Sequence, residues 1–224
     1  MSVTGKFPNQ VSADPAGYSL VSGQSWDVIV TSLDVNGNPR IGDTIRVYDF
    51  NIHTGASTLL GSGSTGYNGE VNIDCSPVYN VQGEDSSRLI RIWDDSAGEY
   101  ADYSIPIWFH VNMTLECATT GLACGSATEY VALPSTTAIC GQGVYVYTTS
   151  KGRLIATSVQ DRGPGVTNDP YWNENGQPTW VNPSGYHVGM DGSSELWASL
   201  GFVSGVDYSC SSGYGITSVY WRFN

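Results

Sequence analysis

The sequence is poor in charged residues, and those it has are mostly negative. Only 13% of the 224 residues are charged, and 21 acidic residues stand against nine basic ones, for a formal net charge of −12. With so few cations, no basic patch can neutralise a phosphate backbone. We therefore expect no nucleic-acid partner, and acidic polymers such as teichoic acids are poor partners for the same reason.

Long apolar runs and metal-ligand spacings are also absent from the sequence. No apolar run approaches the ~18 residues that a membrane-spanning helix requires, so we expect no membrane span. There is no Cys-x-x-Cys motif and no close pair of histidines, which excludes the common zinc-site patterns. We expect no metal and no cofactor.

The sequence is instead rich in glycine and aromatic residues, with 27 Gly, 14 Tyr and 7 Trp. Many turn formers among β-forming and aromatic residues are typical of an all-β protein with many short strands. The length suits one large domain or two small ones, and the change of character near the middle of the chain favours two.

The first half reads as short strands joined by tight turns. Apolar and polar residues alternate over 26–31 and 44–48, and Asn-Gly turns occur at 36–37 and 68–69. This order of strands and turns resembles bacterial immunoglobulin-like domains of the invasin and surface-adhesin type. The resemblance implies an immunoglobulin-like β-sandwich over 1–113 that acts as a spacer or adhesion module.

Two acidic residues stand at the ends of predicted strands in the second half. Alternation over 155–159 predicts a strand that stops at Asp161, just before a Gly-Pro breaker. Asp191 ends another predicted strand and precedes a short helix predicted over 193–200, with a serine at its N-cap and a glycine behind it. Two carboxylates at two strand ends are what a cleft that grips or cleaves polysaccharide requires.

The second half resembles the double-psi β-barrel of the expansin, rare lipoprotein A and family-45 endoglucanase group. The matching segments, in chain order, are Gly-Ser-Ala-Thr-Glu-Tyr at 125–130, a hairpin at 144–159, Asp-Arg-Gly-Pro at 161–164, Asp191 with its helix, and a closing strand at 216–223. The resemblance implies a six-stranded double-psi β-barrel over 122–224, after a linker at 114–121. The expected fold class is thus all-β, an immunoglobulin-like sandwich followed by this barrel.

The resemblance also implies catalytic roles for Asp191 and Asp161. Asp191 matches the Asp that acts as general acid in hydrolytic and lytic members and that grips glucan in expansins. To donate a proton at neutral pH, it needs burial that raises its pKa; the alternative is that it only caps the following helix. Asp161 is the second carboxylate, and its alternative role is to bond the backbone of its own tight turn. Arg162 is placed to pair with either of them.

Candidate substrate contacts surround these carboxylates. They are Thr128, Tyr130, Trp172, Trp180, Tyr186 and His187. Aromatic rings on the loop from 164 to 186 suit stacking on the apolar faces of sugar rings, although the same rings can pack over the barrel mouth or against a neighbouring subunit. Tyr130 stands where the lytic branch has a histidine, and tyrosine is a poor base at neutral pH. His187 is the alternative base.

The cysteines divide unevenly between the two halves. Four lie in the second half: Cys117, Cys124, Cys140 and Cys210. They permit two disulfides, which secreted barrels of this kind often carry, in a connectivity that the sequence leaves open. The alternative is buried thiols in a particle assembled inside the cell. Cys75 continues the alternation of the preceding strand, so we expect a free thiol that acts as a small core hydrophobe.

Three classes of function follow from these observations. We favour an extracellular or cell-surface protein of the expansin type that binds peptidoglycan or a cellulose-like glycan through the barrel cleft, non-hydrolytic or weakly lytic. The second class is a glycan-cleaving enzyme, either a lytic transglycosylase or an endoglucanase. The third is an assembly protein of a virus particle or cell surface that uses both domains as building blocks. Residues 1–4 are polar and unlike an export signal, so we expect removal of that signal or another route out of the cell, such as lysis.

Overall fold

The computed structural model describes residues 2–52, 54–79, 87–135, 139–165, 168–169, 171–173 and 177–224. Within these residues, strands are accompanied by one α-helix, α1 (Ser194–Ser199), and one 3-10 turn, Tyr171–Asn173. The prediction of a nearly all-β chain is confirmed. The chain divides into two compact units, Met1–Tyr79 with Ser87–Ile107, and a second that contains Trp108–Asn224. No helix among the described residues has the length or apolar character needed to cross a membrane.

The first unit consists of two sheets that share one apolar cluster. Its strands are β1 (Ser2–Lys6), β2 (Leu20–Val21), β3 (Trp26–Leu33), β4 (Thr44–Phe50), β5 (Ser57–Ser64), β6 (Glu70–Cys75), β7 (Ser87–Asp94) and the first part of β8 (Glu99–Glu116). Strands β1, β3 and β6 form an antiparallel sheet in that order. Strands β5, β4, β7 and β8 form a second antiparallel sheet.

Alternation along the strands places one face of each sheet in the core. Val28 and Val30 of β3 are fully buried, whereas Asp27 and Ile29 between them are exposed. The buried residues of both sheets belong to one cluster, in which Cys75 of β6 is also found. Cys75 is free and buried, and burial raises the pKa of its thiol to about 12. The prediction of a free core thiol is therefore confirmed.

The second unit contains a closed barrel of six strands. The strands of this unit are the second part of β8, β9 (Thr120–Leu122), β10 (Gly125–Ser126), β11 (Val131–Leu133), β12 (Gly143–Thr148), β13 (Arg153–Arg162), β14 (Val188–Ser193) and β15 (Ile216–Phe223). Strands β9 and β10 pair only with each other, and the other six form the barrel. The barrel order is β14-β11-β13-β12-β15-β8, and β8 pairs back with β14. The contacts β11–β13 and β8–β14 are parallel, and the other four are antiparallel.

One barrel strand crosses the predicted boundary between sandwich and linker, because β8 already pairs with β15 from Phe109 to Thr114. Residues 114–116 continue β8, and Thr120–Leu122 form β9. Along β8, Asn112 to Glu116 pair with β14, so the barrel begins before residue 122. Phe109, Val111 and Met113 belong to the barrel core and Leu115 packs against it, so the alternation of β8 continues past the polar Thr114.

Two disulfides connect the cysteines of the second unit, as predicted, and fit an oxidising environment. Cys117 bonds Cys210 across 93 residues, and Cys124 bonds Cys140 across 16 residues. The first joins the end of β8 to the segment before β15, and the second joins the segment before β11 to the one before β12.

Candidate functional site

Asp161 and Asp191 lie on the two strands that flank β11. Ala132 of β11 pairs with Asp161 of β13 on one side and with Asp191 of β14 on the other. Residues directly opposite on adjacent strands point to the same face of a sheet. Since Val131 and Leu133 belong to the barrel core, Ala132 and both carboxylates face outward.

The Asp191 carboxylate is partly buried beneath the chain that follows β13. Thr114, its partner on β8, donates a hydrogen bond to Asp191 Oδ1. The backbone of Gly163 lies over the other oxygen, so a Cβ there would stand 2.4 Å from Asp191 Oδ2. Burial raises the pKa of Asp191 to about 7. The hydrogen bond from Thr114 opposes this rise in pKa, whereas the negative charges of Glu116 and Asp161 add to it.

Asp191 is therefore suited to donate a proton at neutral pH, because a large fraction of the molecules carry that proton. The helix that follows does not use it as a cap. The N-cap of α1 is Ser193, whose Oγ accepts the Leu196 N–H at 3.2 Å. In the described part of the chain, no ion pair connects exposed Arg162 to either carboxylate. No nearby cation thus holds Asp191 in its ionised form.

Asp161 has a structural partner. Its Oδ1 accepts the backbone N–H of Ala123 at 2.8 Å. The next residue, Cys124, donates its N–H to the carbonyl of Gln160 at 3.0 Å and forms the disulfide with Cys140. The carboxylate thus bonds a neighbouring segment rather than its own turn, and this segment is covalently fixed.

An aromatic cleft of about 500 Å³ opens beside Asp191. Trp180, Tyr186 and Tyr214 supply its rings, and Tyr186 and Tyr214 are 50% and 44% exposed. Thr114 lines the cleft and also donates to Asp191. Asp191 is not itself part of the cleft wall, and Thr114 connects its carboxyl group to the cleft.

The walls of this cleft are held by close contacts on both sides. On one side, a Cβ at Gly165 would stand 2.1 Å from Trp180 Nε1, so only glycine lets the backbone lie against this indole. On the other side, the disulfide Cys117–Cys210 anchors the segment that leads to Tyr214. Tyr214 was not predicted as a contact, because its Gly- and Ser-rich surroundings have no strand or helix period. The available signal was its position shortly after the disulfide cysteine Cys210.

Two of the predicted substrate contacts are buried. Trp172 is 3% exposed, and its ring packs edge-to-face against Trp221 and Phe223. Tyr130 is fully buried, and its hydroxyl donates to the carbonyl of Ala118 at 2.7 Å. Neither ring is accessible to a ligand, because both are buried. The sequence around an aromatic loop residue does not indicate whether its ring is buried or exposed to a ligand.

The remaining predicted contacts, Thr128 and His187, are exposed. Thr128 lies in the bend that precedes β11. His187 borders a separate cleft of about 160 Å³, and its Nδ1 is 3.0 Å from the carbonyl oxygen of Pro178. Four residues of extended chain separate His187 from Asp191, which is roughly 13 Å at 3.3 Å per residue. That distance is too long for direct proton exchange between the two side chains.

Within the described residues, no group of three or more His, Cys, Asp or Glu side chains is arranged to hold a metal ion. A comparison of the sequence with protein-family models and with curated proteins finds no match.

Proposed function

We propose that the protein binds a cell-wall polysaccharide, such as peptidoglycan or a cellulose-like glycan, in the aromatic cleft of its barrel. The observation that supports this most is the continuity between the exposed rings of Tyr186 and Tyr214 and the carboxyl group of Asp191, through Thr114. Aromatic rings stack on the apolar faces of sugar rings. A carboxyl group and a hydroxyl group beside them both donate and accept hydrogen bonds, as sugar hydroxyls require.

Weak cleavage of the bound glycan is the second part of the proposal. Glycoside cleavage requires a proton donor at the leaving oxygen, and a carboxyl group with a pKa of about 7 fits that role. Asp161 already accepts a backbone hydrogen bond, and His187 borders another cleft. Because the acid lacks a well-placed base, we assign binding as the main activity and cleavage as a slow one.

The fold supports a finer assignment for each unit. We propose that the closed six-stranded barrel is a double-psi barrel of the expansin and rare lipoprotein A group, on the basis of its two parallel contacts and the two carboxylates on the strands that flank β11. We propose an immunoglobulin-like sandwich for the first unit, because two antiparallel sheets share one core. The two disulfides support a place outside the cell or at its surface.

Retention on insoluble cellulose and on purified peptidoglycan tests the binding. Wild-type protein should be retained at low and at high salt, because stacking is not screened by ions. Trp180→Ala and Tyr186→Ala should each weaken retention by about two- to tenfold, as expected for the loss of one ring contact. Tyr67→Ala is the matched control, because Tyr67 is 91% exposed and lies in the first unit. Asp191→Asn should preserve binding and abolish any release of soluble sugar.

Failure of the wild type to bind either polymer would overturn the proposal, as would equal retention of Tyr186→Ala and wild type. If the wild type binds neither polymer, the role of an assembly protein takes its place. Sedimentation of the wild type at rising concentration would then measure its self-association.

A further inference from the structure

The first unit carries a stack of planar side chains on the outer face of its four-stranded sheet. Trp93 stacks on Tyr100 with ring centroids 5.6 Å apart and planes 9° from parallel. The guanidinium carbon of Arg91 lies 4.1 Å from the ring centroids of both Tyr100 and Phe50. Asp102 fixes Arg91 through two hydrogen bonds of 2.7 and 2.8 Å. The stack is therefore preorganised, so a ligand that binds to it orders few side chains.

A cavity of about 250 Å³ lies against this stack. Its walls include the rings of Tyr48, Phe50 and Trp93, and its rim includes Arg46, Asp95 and Ser57. Trp93 and Arg91 of the stack line the cavity, whereas Tyr100 does not. We call this space the Trp93 cavity.

The charges around the Trp93 cavity cancel locally. Arg46 forms an ion pair with Asp95 at 2.9 Å, and Arg91 pairs with Asp102 at 2.7 Å. The face is thus neutral although the chain as a whole carries a formal charge of −12. Fixed donors and acceptors stand at the rim beside apolar ring walls. This combination matches an uncharged molecule with an apolar ring face and hydroxyl groups.

We propose that the Trp93 cavity is a second glycan-binding site, which takes one uncharged sugar residue of a polysaccharide. Its volume is below the range of about 300–1,000 Å³ that holds drug-sized ligands, so a single ring fits rather than a longer segment. The sugar ring stacks on Trp93, and its hydroxyls bond Arg46 and Asp95. This site lies in the first unit and acts without the barrel cleft.

Binding of the full chain to insoluble cellulose and to purified peptidoglycan tests this proposal, with dissociation constants from depletion isotherms. Trp93→Ala should weaken binding by about two- to tenfold, in the wild-type chain and also in a Tyr186→Ala, Tyr214→Ala background. Arg46→Ala should also weaken binding. Because Arg46 is exposed on the surface, this variant should fold even if Trp93→Ala does not, so the proposal can still be tested. Tyr67→Ala, in a turn of the same unit, is the control and should bind like the wild type.

The outcomes separate this proposal from that for the barrel cleft. If Trp93→Ala and Arg46→Ala bind like Tyr67→Ala while Tyr186→Ala binds more weakly, the Trp93 cavity is not a glycan site and the barrel cleft is. If only Trp93→Ala and Arg46→Ala lose affinity, the Trp93 cavity binds the glycan and the barrel proposal fails. If the wild type binds neither polymer, both proposals are overturned.

Discussion

Thr114 and Asp191 face each other across two parallel barrel strands, and the hydroxyl of Thr114 donates a hydrogen bond to the carboxylate of Asp191. Thr114 also forms part of the wall of the aromatic cleft. One hydroxyl group therefore connects the surface on which a ligand would lie to the carboxyl group whose pKa is about 7. Displacement of that hydroxyl by a ligand would change both the hydrogen bonding and the protonation of Asp191.

Replacement of Asp191 by Asn should make stability less dependent on pH. The pKa of Asp191 rises from the ordinary value of 3.8 to about 7 on folding, so the native state binds this proton more tightly than the unfolded chain does. The stability from the protonated carboxyl is complete below about pH 4 and is lost as the pH rises through 7. The advantage of Asp191→Asn over wild type should therefore grow by roughly 4 kcal/mol between about pH 4 and pH 8. Urea unfolding at both pH values measures it, and a constant difference would contradict it.

Replacement of Thr114 by Val should raise the pKa of Asp191 further. The hydrogen bond from Thr114 stabilises the charged carboxylate and thus opposes the effect of burial. Valine keeps the branched shape and removes the donor. Carbon-13 NMR titration of the carboxyl group measures the shift, with Thr120→Val, an exposed position on β9, as the control. An unchanged or lower pKa in Thr114→Val would show that this hydrogen bond does not act on Asp191.

Replacement of Gly163 by Ala should destabilise the protein by about 1–3 kcal/mol through overpacking. The new Cβ would stand 2.4 Å from Asp191 Oδ2, which displaces either the carboxylate or the loop. Gly66→Ala is the matched control, because its Cβ would stand 3.6 Å from its nearest neighbour, the carbonyl oxygen of Glu70. Thermal unfolding of both variants makes the comparison. Equal melting temperatures would mean that the loop does not close over Asp191.

The two disulfides should contribute unequally to stability. Cys117–Cys210 closes a loop of 93 residues and Cys124–Cys140 one of 16, so chain entropy predicts about 4.5 and about 3 kcal/mol respectively. Unfolding of the two paired Cys→Ser variants in urea measures both values, and a larger loss for the short loop would contradict the expectation.

Thiol labelling of the denatured, unreduced protein should detect one free thiol, that of Cys75.

The parts of this protein that could be predicted from sequence are those with a local chemical cause. Alternation over 26–31 and 44–48 predicted two strands and the side of each that enters the core. The serine cap and the following glycine located α1 within the predicted 193–200. The grouping of four cysteines in the second half predicted the two disulfides but left their connectivity open. Asp161 stands near the end of β13, as predicted, whereas β14 continues past Asp191 to Ser193.

What only the tertiary structure decided depends on contacts between residues far apart in the chain. Asp161 and Asp191 lie on either side of Ala132 because both strands pair with β11, and no local pattern encodes that register. The ring of Trp172 is buried while that of Tyr186 is exposed, although both lie on segments of similar composition. Burial under Gly163 raises the pKa of Asp191, and the hydrogen bond from Thr114, which is 77 residues away, opposes that rise. Sequence therefore determines which groups are available, and packing determines which of them become charged, buried or reachable by a ligand.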